Sequence, residues 1–206
     1  MYFVGLFIMT IGISISVKSN LGVSPVSSIP YTITCVWGVE MGKATIAFHC
    51  VLVLFQIMLL RKKFKVKNLL QIAVGIIFGY FTTFCNYVVS FLPTPEHLFV
   101  RLLMMLISAF VIALGIFFYV PADIMPLAGE GIMQTISELA KIEFSKVKMA
   151  FDITMVAISL AACLAILHNL GSVGIGTVVA AVLVGVLLGM ITKAFGTWRD
   201  HLLQKC

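Results

Sequence analysis

The sequence predicts an all-α transmembrane fold of about six spanning helices, arranged as two inverted three-helix repeats that each carry a short re-entrant or broken half-helix. Three observations predict it. First, 61% of residues are apolar and 11% charged, with a mean hydropathy of +1.14, so the chain could not stay soluble. Second, Phe7, Gly12, Ile13, Val17, Thr32, Ile33, Glu40, Lys43, Ala47, Phe48 and Val53 recur 103 residues later as Phe110, Gly115, Ile116, Val120, Thr135, Ile136, Glu143, Lys146, Ala150, Phe151 and Val156, and these 11 pairs are all but one of the identities in 47 positions aligned without a gap. Third, the basic residues divide unevenly between the loops of such a topology. Apolar sequences match each other by chance, but matching glycines, lysines and glutamates are harder to obtain by accident. Doubled units in membranes are usually transporters or channels.

Long, nearly uncharged runs occur at 2–17, 44–60, 69–92, 98–120, 149–167 and 172–192. Most reach the ~20 residues needed to cross a ~30 Å hydrocarbon layer. The first lacks a basic leader and a small-residue cleavage site, so it reads as an uncleaved span rather than a signal peptide. After a shift of seven residues, Val74-Gly75-xxx-Gly79-xx-Thr82 also matches Val184-Gly185-xxx-Gly189-xx-Thr192. Small residues four apart let helices approach closely. Contact between spans three and six is the expectation, and homodimerisation through one of them is the rival. Repeat one covers about 1–92 and repeat two about 98–195 of a single membrane domain, 1–206.

Two shorter segments, 24–37 and 129–140, are too short to cross. Ser24-Pro25 gives an N-cap followed by proline at the first helical position. Gly129-Glu130-Gly131 puts an acid in a first turn, where the helix dipole favours it. A surface amphipathic helix is the alternative, and a misreading of these segments would make the count five or seven spans. The residues Val26, Ile29, Tyr31, Ile33, Cys35, Val36 and Trp37 leave no charged face for it, so a re-entrant half-helix is preferred.

Six spans place Arg61, Lys62, Lys63, Lys65, Lys67, Lys141, Lys146, Lys148, Lys193, Arg199 and Lys205 on one side and Lys18, Lys43 and Arg101 on the other. Eleven against three predicts both termini in the cytoplasm. Three spans per repeat is odd, so the repeats enter the membrane in opposite directions. Their half-helix starts then approach each other near the midplane. The net charge of +6 reports this topology and not nucleic-acid binding. The 61–67 cluster also suits anionic headgroups.

The stretch from Ser19 to Tyr31 holds the most specific polar signal. Asn20 and Gly22 tolerate left-handed backbone, Pro25 and Pro30 cannot donate hydrogen bonds, and Ser24, Ser27 and Ser28 offer hydroxyls. Backbone this irregular beside a span is tolerated where it is buried in protein or lines a cavity. Its partner, 122–131, adds Asp123 and Glu130, and the repeat pairs Ser27 with Glu130 and Tyr31 with Gln134. Asn20, Ser24, Ser27, Ser28, Tyr31, Asp123, Glu130 and Gln134 are therefore the candidate substrate-binding residues, with ordinary caps and surface turns as the plainer reading. His49 and Asp152 share one repeat position and are the candidate proton-coupling pair, because ionisable groups in a bundle tend to mark ion or proton paths. A capping His49 and an Asp152 at the water line near Lys148 form the alternative. Five cysteines without CxxC spacing predict neither a disulfide framework nor a metal site, and no cofactor is expected.

The series Gly12, Asn20-Leu21-Gly22-x-Ser24-Pro25, Ser27/Ser28-Ile29-Pro30-Tyr31, Gly42, Thr45, His49, Gln56, Arg61-Lys62-Lys63-Phe64, Leu70-Gln71-Ile72, Val74-Gly75 and Phe78-Gly79 resembles the YczE/YyaS-type bacterial integral membrane proteins, related to the YitT group. The resemblance covers nearly the whole chain and implies a bacterial inner-membrane location. It carries over no functional residue.

The resulting expectation is a small secondary transporter for a polar metabolite, zwitterionic or anionic, working by alternating access and driven by protons. Serine hydroxyls and a helix start at Ser24 suit a carboxylate or phosphate, while Asp123, Glu130 and Gln134 suit an amine or a coupling cation. A passive channel and a non-transporting partner of a biosynthetic or signalling complex are the alternatives. No nucleophile elbow, HExxH or P-loop is present, so enzymatic activity is not expected. The partners are a small solute or ion and the lipid bilayer.

Overall fold

The computed structural model describes residues 1–122, 124–169 and 171–203. Among them are eight α-helices: α1 (Tyr2–Ser19), α2 (Pro25–Trp37), α3 (Met41–Leu60), α4 (Leu70–Ser90), α5 (Leu98–Tyr119), α6 (Ala128–Ala140), α7 (Phe144–Leu167) and α8 (Ile175–Leu203). Six segments are long and apolar enough to cross a membrane: Tyr2–Ser19, Met41–Leu60, Val66–Ser90, Leu98–Ala122, Phe144–Leu167 and Ile175–Thr197. They fall on the six expected runs. The helices α2 and α6 have 13 residues each. At 1.5 Å per residue that is about 20 Å, too short for a ~30 Å layer.

Sequence repetition is also repetition of backbone geometry. The N–H of Gly38 (φ 66) bonds to Thr34 O, and the N–H of Lys141 (φ 54) bonds to Ser137 O, so both short helices end in the left-handed region. Gly38 carries this at little steric cost, whereas Lys141 does not. Next, Glu40 (φ −56, ψ 131) and Glu143 (φ −56, ψ 133) open α3 and α7 in the same conformation. Each of these pairs is separated by 103 residues.

The chain folds as two compact units, and each draws helices from both repeats. One comprises Met1–Ser24, Phe84–Ile124 and the chain from Val173 onward. Its centre is an antiparallel seam between α1 and α5. Tyr2 meets Tyr119 ring to ring at 5.3 Å, Ser108 Oγ donates to Gly12 O at 2.8 Å, Ser16 Oγ lies 3.5 Å from Met105 Sδ, and Arg101 Nε donates to Ser19 O at 2.8 Å. Glycine makes the close approach: a Cβ at Gly12 would lie 2.8 Å from Ile112 N, and one at Gly115 would lie 2.6 Å from Met9 N. Gly12 and Gly115 are repeat equivalents, and so are Met9 and Ile112. At the start of α8, the N–H of Gly176 bonds to Leu21 O at 2.8 Å, and Gly22 takes φ 109.

The other unit comprises Pro25–Thr83 and Met125–Ser172. Its core joins Phe48, Leu52 and Val53 of α3, Ala128, Ile132 and Met133 of α6, and Val147, Phe151 and Met155 of α7. Phe48 and Phe151, equivalent in the two repeats, thus enter one core. The glycines of the third span pack here. A Cβ at Gly79 would lie 2.8 Å from Gly42 O, and one at Gly75 would lie 2.9 Å from His49 Cβ.

That corrects the expected pairing of spans three and six through their matching glycines. Gly75 and Gly79 are filled by α3, whereas Cβ atoms at Gly185 and Gly189 would meet nothing within 4 Å. Equal spacing produced unequal contacts because α3 brings its own glycine, Gly42, to the seam.

Candidate functional site

The starts of α2 and α6 lie together inside the second unit. A Cβ at Gly129 would sit 3.5 Å from Val26 Cγ1 and 3.9 Å from Leu52 Cδ1. Val26 and Gly129 are separated by 103 residues, so equivalent points of the two short helices touch. Proline at the first position of α2 leaves no N–H there, and its fixed φ suits a helix start.

Different chemistry secures each start. On α2, Ser28 is fully buried; its Oγ bonds to Pro25 O at 2.6 Å, lies 3.4 Å from Met155 O, and accepts from Ser159 Oγ at 2.9 Å. One turn on, Thr32 Oγ1 lies 2.5 Å from Ser172 Oγ and 3.7 Å from Cys163 Sγ. Hydroxyls therefore run along the contact of α2 with α7. On α6, Gln56 is fully buried and its Nε2 donates to Gln71 Oε1 at 2.8 Å and to Ala128 O at 3.1 Å. Its Oε1 is buried with no partner. Gly131 gives Gln71 room, since a Cβ there would lie 2.7 Å from both amide atoms of that side chain.

The candidate residues are distributed unevenly. Ser27, Ser28, Tyr31, Glu130 and Gln134 belong to the second unit, and Asn20 and Ser24 to the first. Asn20 caps α1 in the left-handed region (φ 53), and its carbonyl accepts from Arg101. Ser24, Ser27, Tyr31 and Glu130 are half-buried, Ser28 is buried and Gln134 is exposed. Asp123 lies outside the described residues.

His49 is buried on α3 against Gly75, with the Phe48 and Phe78 rings at 6.2 and 5.8 Å, and its Nδ1 has no partner. Asp152 on α7 pairs with Lys148 at 2.9 Å through Oδ2, while its Oδ1 is buried and unpartnered. Both equivalents thus carry one buried polar atom that no protein group satisfies.

Gln56, Gln71, Ser159, Thr32 and Ser172 were not among the sequence candidates for a site. A signal existed for two of them. Gln56 follows His49 by seven residues, two helical turns on one face of an otherwise apolar span. Thr32 is identical in both repeats.

Comparison with known proteins agrees with the membrane class. Over 188 residues the chain is 24% identical to the uncharacterized membrane protein YczE of Bacillus subtilis (strain 168), covering 91% of this chain and 81% of that protein. No solved structure matches it. Residues 1–193 match a family of unknown function, DUF6198. With six segments able to span a bilayer and a family match over nearly its whole length, the chain is an integral membrane protein and belongs to the DUF6198 family.

Proposed function

We propose that this protein is a small secondary transporter of the bacterial inner membrane. In this reading it moves a polar, zwitterionic or anionic metabolite by alternating access, with both termini in the cytoplasm. Two inverted repeats form it, with α2 and α6 as re-entrant half-helices. The observation that carries the reading is the meeting of Val26 and Gly129, equivalent residues at the two half-helix starts. A two-fold axis passing between them relates one half-helix to the other. The seam of α1 and α5, taken within the first unit by itself, supports inversion as well. Equivalent helices that pack antiparallel are exchanged only by a rotation perpendicular to both, and for membrane-crossing helices that direction lies in the membrane plane.

The site in this reading lies between the half-helix starts. Within the second unit, the start of α2 with Ser27 receives the anionic group of the solute, while Glu130 and Gln134 receive its cationic end. Tyr31 belongs to the first half-helix itself, and Ser28 holds that helix to α7. His49 and Asp152 carry the coupling proton, each offering a buried atom without a protein partner.

Purified protein in proteoliposomes tests this, with radiolabelled neutral amino acids and small carboxylates as probes and an imposed pH gradient. Saturable, gradient-dependent uptake that Glu130→Gln removes is the expected result. Flux that never saturates identifies a pore, and uptake equal to that of empty vesicles for every probe contradicts transport.

A further inference from the structure

We propose that the start of α6 holds a small monovalent cation, an alkali metal ion or a primary ammonium group, on the free amide oxygen of Gln56. This deepens the transport reading by naming what the second half-helix recognises, and it rests on that reading only for its part in transport.

Geometry fixes the polarity of the guest. Gln56 is fully buried and spends its Nε2 on Gln71 Oε1 and Ala128 O, the latter at the first residue of α6. That orientation presents Oε1, a pure acceptor, without a protein donor. A buried acceptor left unmade is unfavourable, and a donor or cation removes the penalty. An anion would meet an oxygen instead.

The two repeats differ at this junction, and the acceptor without a protein partner belongs to one half. Gln56 corresponds to Ser159, and Gly131 to Ser28. On the α2 side those two hydroxyls bond to each other at 2.9 Å, and the junction is closed. On the α6 side glycine replaces the serine, Gln71 moves in where a Cβ would stand, and one acceptor stays open.

The N-terminal dipole of α6 opposes a cation with about half a charge, and an acidic residue, Glu130, stands in that same first turn. Among the described residues no three His, Cys, Asp or Glu side chains gather as a transition metal would need. Amide oxygen is a hard donor and suits an alkali ion or an ammonium group.

Thermal unfolding of the purified full chain in detergent tests the site without any transport assay. Melting is compared at equal ionic strength in sodium chloride, methylammonium chloride and choline chloride. The expected result is a Tm about 2–4 °C above the choline value in sodium or in methylammonium, and which arm responds tells a metal ion from an amine. Gln56→Leu should lose the difference, and Gln56→Glu, which adds a charge, should lower the midpoint concentration. Equal Tm values in all three salts mean that a buried water serves Gln56, and the proposal fails. It fails equally if Gln56→Glu leaves the midpoint unchanged or Gln56→Leu keeps the difference. Cation binding without solute uptake would overturn the transport reading and leave the site standing.

Discussion

Glycines show most sharply how one sequence pattern serves two physical ends. Gly115 lets α5 approach α1 so closely that a Cβ would lie 2.6 Å from Met9 N, a backbone atom that cannot swing aside. Gly115→Ala should therefore destabilise by about 1–3 kcal/mol, as overpacking does. In a chain of this size that lowers Tm by several degrees, read by thermal unfolding in detergent. Gly185→Ala meets open space and should leave Tm unchanged or slightly raised. Glu40 gives a second test. A hydrogen bond from Thr83, and after it Lys43 at 3.4 Å, hold its carboxyl below the usual carboxylate range, although burial acts the other way. A depressed folded pKa means that the contribution is complete above the ordinary value of 4.5 and is lost as pH falls through the folded one. The Tm gap between wild type and Glu40→Gln should be small at neutral pH, shrink below about pH 4.5 and weaken in high salt, because the side chain is 41% exposed.

Helices were legible where their ends carry strong local chemistry. The segments expected at 24–37 and 129–140 appear as Pro25–Trp37 and Ala128–Ala140, because proline starts the first and left-handed residues Gly38 and Lys141 stop both. Contacts were less legible, since spacing names a face and not its partner. Gly75-xxx-Gly79 and Gly185-xxx-Gly189 read alike, yet only the first is filled by a neighbouring helix. Ser28 was legible as a buried hydroxyl, but its bond from Ser159 joins residues 131 apart, which no local pattern reveals. The spacing of Gln56 from His49 marks its face of the helix but not its partner, since Ala128 O lies 72 residues away. The meeting of α2 and α6 predicts a cross-link. In a background without the other cysteines, Val26→Cys with Gly129→Cys should form an oxidant-dependent bond that holds the halves together after cleavage in the 92–97 loop. Separation of the halves under oxidation would place the two starts apart.

At the scale of the whole molecule, each compact unit takes helices from both repeats, so neither repeat is a compact unit of its own. Residues of both repeats share one core, as with Phe48 and Phe151. In the proposed topology, the eleven-to-three division of basic residues sets the orientation in the bilayer. Inversion of the repeats is the central claim, and Val39 and Ile142 test it most directly. They are repeat equivalents just before α3 and α7, and both are exposed. Each is changed to cysteine, singly, in a background without the other cysteines, and treated with a membrane-impermeant maleimide in intact cells. Labelling of Val39→Cys from outside, with Ile142→Cys labelled only after the membrane is opened, is the predicted result; labelling of both from the same side would contradict it.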